Sequence, residues 1–152
     1  MEMAVEYPVL AILASIFFIA IVFSSLYLYL YIVSEVNRIP IVSGYAQIED
    51  LANNGWRINI TLRHERGEVV ILQKIQLGTE RGTITIDKFP YSDGNIIVKL
   101  SGFRDKALMP GSIGLIIIEL PQDYLEYNKT YSGIAVFDKG TLVFTYTTPE
   151  TS

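Results

Sequence analysis

A single histidine, His64, is present in this chain of 152 residues, and there is no cysteine. Proton transfer near neutral pH and tight zinc ligation draw first on these two residue types. His64 is flanked by Glu65 and Arg66 at the end of an alternating segment and reads as a solvated surface group. A zinc site of imidazoles and carboxylates normally wants two or more histidines. The lack of cysteine removes disulfides and thiolate ligation. The carboxylates Asp87, Asp93, Asp105, Asp123, Glu126 and Asp138 are spread through turn-like stretches and form no dense Asp/Asn loop of the kind calcium needs. Neither a Gly-x-Ser-x-Gly elbow nor a Walker loop occurs, and the glycines stand singly at turns. We therefore expect no catalytic residue, no cofactor and no metal, and a protein that is not an enzyme.

Modification chemistry is better represented. Asn59-Ile60-Thr61 and Asn128-Lys129-Thr130 are Asn-x-Ser/Thr sequons, candidate N-glycosylation sites. Asn59 falls on the polar side of an alternating segment and Asn128 in a loop, so both are expected at the surface. Twelve basic against sixteen acidic side chains give a net charge of −4. Without a basic cluster, nucleic acid is not an expected partner, because phosphate binding needs a basic face.

The elements that position these residues divide sharply. Residues 1–40 are expected to form one hydrophobic helix, and residues 41–152 a β-sandwich of ordinary domain size. No charge lies between Pro8 and Val33. An apolar run of about 25 residues makes a helix about 37 Å long, against a bilayer core of about 30 Å. Ile12, Leu13, Ile16, Phe17, Phe18, Ile19, Ile21 and Val22 leave no side for water, so the helix belongs in lipid or among other helices. Ala11 and Ser15, four apart, offer a small-residue contact. A lone anchor and a helix that packs with copies of itself both fit. Tyr27, Tyr29 and Tyr31 bunch at one end like an interfacial belt. Pro8 is expected in the first helical turn, and Pro40 past the helix end. The start is acidic, with Glu2 and Glu6 and no Lys or Arg before Arg38. A membrane-entering chain usually has a basic leader, so one reading is that the numbering begins at a processed end.

After Pro40 the apolar period becomes two. Trp56, Ile58, Ile60 and Leu62 alternate with Arg57, Asn59, Thr61 and Arg63. Strands are expected near 41–49, 56–64, 69–77, 82–87, 95–103, 113–120, 132–137 and 141–147. Turn pairs such as Asn54-Gly55, Asp93-Gly94 and Lys139-Gly140 separate them. The stretch 113–120 is almost continuously apolar and is expected to be a central strand covered on both faces. A short helical turn is expected around Asp123–Leu125. Tyr131, Thr145, Tyr146, Thr147 and Thr148 either form an adhesive outer face or reflect ordinary β-propensity, the reading we favour. The fold class is thus α+β: a long hydrophobic helix, then an immunoglobulin-like sandwich of about eight strands.

This arrangement resembles the archaeal type IV pilins and the related archaellum proteins. The resemblance is carried by Leu108-Met109-Pro110-Gly111-Ser112-Ile113-Gly114 and the apolar strand after it. Tyr131-Ser132-Gly133-Ile134-Ala135-Val136-Phe137, Lys139-Gly140-Thr141 and Ile58-Asn59-Ile60-Thr61-Leu62 add to it. It covers most of the chain as pattern, not as an invariant motif. It implies a subunit that sits in the membrane before assembly and then polymerises with copies of itself into an extracellular adhesive filament. The implied assembly residues are Ile12, Leu13, Ile16, Phe17, Ile19, Ala20, Phe23 and Tyr27. Glu6 is the implied partner of a neighbour's terminal amine, although it does not stand at the fifth position where pilins place that residue. Host surfaces or a surface-layer protein are the implied targets. The alternative is a membrane-anchored β-sandwich binding protein that forms no filament, stator-like or surface-layer-binding.

Overall fold

The structure, a computed structural model, describes residues 2–150, with side chains from Pro8 to Glu150. It separates into two compact units, Met1–Arg38 and Ile39–Ser152.

The first unit is one helix, α1, Glu2–Arg38. Its 37 residues make it about 55 Å long. Leucine, isoleucine, alanine and phenylalanine propagate it, and no Gly interrupts it. Pro8 lies in the second turn and not, as expected, the first, because the helix already starts at Glu2. There Pro8 removes one i→i−4 hydrogen bond of the helix. Glu35 and Arg38 form an ion pair at 3.4 Å in the last turn, and Pro40 follows the helix end. Every described α1 side chain is exposed on the single chain. Pro8–Arg38 is long and apolar enough to cross a membrane.

The second unit folds because its strands are apolar on alternate residues and must bury that side against a second sheet. Its ten strands are β1 (Ile41–Asp50), β2 (Trp56–Arg66), β3 (Val70–Thr79), β4 (Gly82–Ile86), β5 (Tyr91–Asp93), β6 (Ile96–Ser101), β7 (Ala107–Leu108), β8 (Ile113–Leu120), β9 (Thr130–Phe137) and β10 (Gly140–Thr147). All the pairings are antiparallel. One sheet runs β1-β2-β8-β6-β5 and the other β10-β9-β3-β4, with β7 on β3. In immunoglobulin lettering, β1-β2-β8-β6 stand as A-B-E-D and β10-β9-β3-β4 as G-F-C-C′. The eight expected strands are all present. β5 and β7 are additional, and at three and two residues they are too short to show a period. A 3₁₀ turn, Gln122–Tyr124, occupies the expected helical turn.

Trp56, Ile58, Ile60 and Leu62 of β2 and Ile116, Ile118 and Leu120 of β8 fill one side of the core. Leu72, Ile75 and Leu77 of β3, Ala135 and Phe137 of β9, and Phe144 and Tyr146 of β10 face them. Among the described residues, this core is built from residues of the second unit. The Asn54-Gly55 turn needs its glycine twice over. Gly55 has φ 104°, and a Cβ there would collide with the Leu120 carbonyl oxygen.

Two expectations need correction. β8 is central in its sheet, but it is not covered on both faces. Ile116, Ile118 and Leu120 are buried, Leu115 and Ile117 are half-buried, and Ile113 is 61% exposed. Burial inside comes from the opposite sheet, and no strand of either sheet lies over the outside. His64 is not a solvated surface group. It is fully buried, because Val42, its partner on β1, and the 109–112 turn close over the end of β2.

Candidate interaction surfaces

The β2 alternation puts His64 on the same side as Leu62 and Ile60, pointing inward. Its Nε2 donates to the Glu68 carbonyl at 2.6 Å, pinning the turn between β2 and β3. Its backbone accepts from Gly111 N–H at 2.8 Å and donates to the Ser112 carbonyl at 3.1 Å. Nδ1 has no hydrogen-bond partner among the described residues. This imidazole is a structural strut between two turns. Among the described residues no three His, Asp or Glu side chains cluster closely enough to hold a metal.

The six scattered carboxylates stay apart, and several serve as local ties. Asp123 pairs with Arg81, whose guanidinium lies 5.0 Å from the centre of the Tyr124 ring. Lys129 Nζ is 2.8 Å from both Glu80 and Glu126. Tyr131 donates to Glu80 at 2.7 Å and accepts the Glu126 N–H at 2.9 Å. This network joins the β3–β4 hairpin tip to the β8–β9 connection. The Lys129 ammonium, then the Tyr131 hydroxyl, hold the Glu80 carboxyl below its usual range. Lys129 is raised in return, first by Glu126 and then by Glu80. Burial raises the Tyr146 phenol, which donates to the Gly78 carbonyl at 2.5 Å. Tyr146 and Thr148 are buried and Tyr131 is half-buried, so only Thr145 and Thr147 of the suggested adhesive face are exposed.

The sequons differ. Asn128 is exposed at φ 56° in the turn before β9. Asn59 is half-buried in the middle of β2, between β1 and β8, and its Nδ2 donates to Glu49 at 3.2 Å. Both are expected at the surface: Asn128 is exposed there, while Asn59 is only half-exposed because an interior strand has neighbours on either side.

On α1, at about 100° per residue, Ile12, Leu13, Ile16, Phe17, Ile19, Ala20, Phe23 and Tyr27 fall within an arc of about 160°. Ile19 is 50% and Tyr27 73% exposed, with the other large members between. The opposite arc carries Phe18, Ile21, Val22 and Tyr29, also exposed and also apolar or aromatic. The Glu6 side chain lies outside the described residues.

Each sheet has a distinct outer face. On the β9–β10 side, Thr141, Val143, Thr145 and Thr147 face Val136, Ile134, Ser132 and Thr130, an uncharged strip. On the β2–β8 side, register sets Arg57 opposite both Glu49 and Glu119, with ion pairs at 3.2 and 3.3 Å. Beyond this pair, Ile117, Leu115 and Ile113 run down β8 as an apolar row. Arg63 stands beside Ile113 on β2, and Lys99 beside Ile117 on β6. Ser43, Gly44, Tyr45, Thr61, Arg63 and Ile113 line a shallow depression of about 320 Å³ here. Sequence reasoning passed over this face. The signal for it is the nearly continuous apolar run of β8, from which a strand covered on both faces is expected.

No protein-family model matches the chain, and no curated protein sequence does. Among solved structures, the archaellum periplasmic stator protein FlaG from Sulfolobus acidocaldarius is similar at 15% identity and a TM-score of 0.48. That likeness covers 70% of this chain and 98% of FlaG. The FlaF–FlaG stator complex from the same organism is similar at 21% identity and a TM-score of 0.44, over 66% of this chain and 85% of the other.

Proposed function

We propose that this chain is a membrane-held binding protein and not an enzyme: α1 spans a bilayer, and the β-sandwich engages a second protein outside it, in a stator-like or surface-layer-binding role. The order of residues along α1 carries this reading. Val9 to Leu26 is an unbroken non-polar stretch whose only polar side chains are small serines, about 27 Å long and close to the hydrocarbon thickness of a bilayer. Tyr27, Tyr29 and Tyr31 follow, with Tyr29 turned about 200° from Tyr27, so aromatic rings lie on opposite sides of the helix at that level. Glu35 and Arg38 come next. A helix in lipid needs that sequence of apolar, aromatic and charged zones on every side. A helix inside a bundle needs it only where it faces out. Ser15 does not disturb this, because its hydroxyl donates to the Ala11 carbonyl at 2.8 Å.

A second reading has its own support. The apolar surface continues past the tyrosines through Ile32, Val33 and Val36, all exposed. From Val9 to Val36 it exceeds a bilayer core by about 12 Å. Packing among copies in a pilus-like, adhesive filament would bury that excess, with the Ile12–Tyr27 set at the contacts. One preparation separates the two. Carbonate-washed membranes are blotted for the chain, and sheared surface material is imaged. The anchored reading expects the chain in the membrane fraction and no fibres. Fibres composed of this chain would overturn it in favour of the filament.

A further inference from the structure

We propose that the outer face of the β2–β8–β6 strands is the docking surface of the sandwich, and that its occupant is a protein segment with an apolar ridge flanked by carboxylates. The inference deepens the reading of the sandwich as a binding domain and rests on it.

The first ground is β8. A central strand that alternates against water on one side should carry polar residues there. β8 places Ile113, Leu115 and Ile117 on that side instead, and no strand of either sheet covers them. The row is also organised like an interface, with an apolar centre and a polar rim. Tyr45, 57% exposed, and Ile113 border the depression beside it.

The second ground is charge. Arg63 and Lys99 flank the row from opposite sides, on β2 and β6. Both are exposed, and neither makes an ion pair or side-chain hydrogen bond among the described residues. The nearby carboxylates are already engaged: Glu49 and Glu119 by Arg57, and Glu65 by the Ser43 hydroxyl at 3.3 Å. None of these carboxylates is bound to Arg63 or Lys99, so the two cations that flank the row are left without an ion-pair partner among the described residues. A second copy laid on it would bring the same two cations, so a different chain with carboxylates fits better. Two strand spacings across and four residues along put Arg63 and Lys99 about 16 Å apart. The partner's carboxylates should be spaced to match, about three helical turns if the segment is helical.

The test replaces Tyr45 with the photocrosslinker p-benzoylphenylalanine in the full chain in its own cell membranes, with Val143 on the other sheet as the control position. Attachment peptides are identified by mass spectrometry. The expected result is a crosslink from position 45 to an acidic segment of a different protein, absent from position 143. Its yield should fall at least tenfold in Arg63→Glu/Lys99→Glu and recover when the partner's carboxylates are changed to lysine. Arg63→Gln/Lys99→Gln, checked by thermal melting, covers the case in which charge reversal disturbs folding. Crosslinks to copies of this chain, to lipid alone, to nothing, or to a protein whose capture ignores the charge changes would each overturn the proposal. Membrane extraction of the same cells reads α1 separately. Loss of the chain from membranes with the crosslink intact would sink the anchor and leave the docking face standing.

Discussion

The indole Nε1 of Trp56 donates to the Gln122 carbonyl at 3.0 Å, tying the first residue of β2 to the turn that follows β8. The ring also meets Tyr127 edge-on at 5.0 Å, and Tyr127 donates to Asp50 at 2.9 Å. Trp56→Phe keeps much of the packing but leaves the Gln122 carbonyl without its donor. We expect a loss of about 1–3 kcal/mol, read from urea unfolding of the sandwich. A loss below about 0.5 kcal/mol would mean the tie contributes nothing.

His64 supplies a second comparison. A surface histidine changed to alanine alters stability by about 0.5 kcal/mol or less. The fully buried His64 fills core space and holds the Glu68 carbonyl. His64→Ala should cost about 2–4 kcal/mol in the same assay. A surface-like value would contradict the buried placement.

Acid should act through Glu80. Its carboxyl lies below the ordinary 4.5 in the folded chain, so its contribution is present above that value and is lost as pH falls through the lower folded value. Glu80→Gln should be less stable than the parent at neutral pH, and the gap should close on acidification below 4.5. Lys129 works in the opposite sense. Raised when folded, it contributes below its ordinary value of 10.5 and loses that contribution only in strong alkali. Melting temperatures across an acid series check the Glu80 slope; an unchanged gap refutes it.

Charge inside α1 should separate anchoring from folding. An Asp near the centre of a spanning helix costs about 2.5–3.5 kcal/mol of insertion. Ile16→Asp/Ile19→Asp should move the chain out of carbonate-washed membranes and abolish any filaments. The sandwich melting temperature should stay put, since neither Ile16 nor Ile19 belongs to its core. Intact membrane retention would count against the span.

Glycan occupancy should follow exposure. Intact mass measurement of protein from its native cells should show modification that Asn128→Gln removes and Asn59→Gln leaves unchanged. Modification confined to Asn59 would reverse this assignment.

Much of this was legible in the residues. Alternation of Trp56, Ile58, Ile60 and Leu62 specified which side of β2 is inside, and single-glycine turns marked where the strands break. The charge-free stretch between Pro8 and Val33 gave away α1. Less legible were features that depend on what a distant segment does. His64 reads as exposed beside Glu65 and Arg66, and it takes Val42 on β1 and the turn at Met109 to Ser112 to close it in. β5 and β7 exist because β6 and β3 offer them an edge, not because three or two residues carry a signal. β8 misled for an instructive reason. Its apolar outer side implies a cover, and the sequence of one chain does not say whether that cover belongs to itself or to another.

The strand order also sets a mechanical path. Tension arriving along α1 enters the sandwich at Ile41, the start of β1. β1 is laddered to β2 from Ile41 to Asp50, and β2 to β8 from Trp56 to Leu120. A partner gripping Ile113, Leu115 and Ile117 would therefore take up the pull within one sheet, through consecutive backbone ladders. That path runs through backbone hydrogen bonds and not through the side-chain packing between the two sheets.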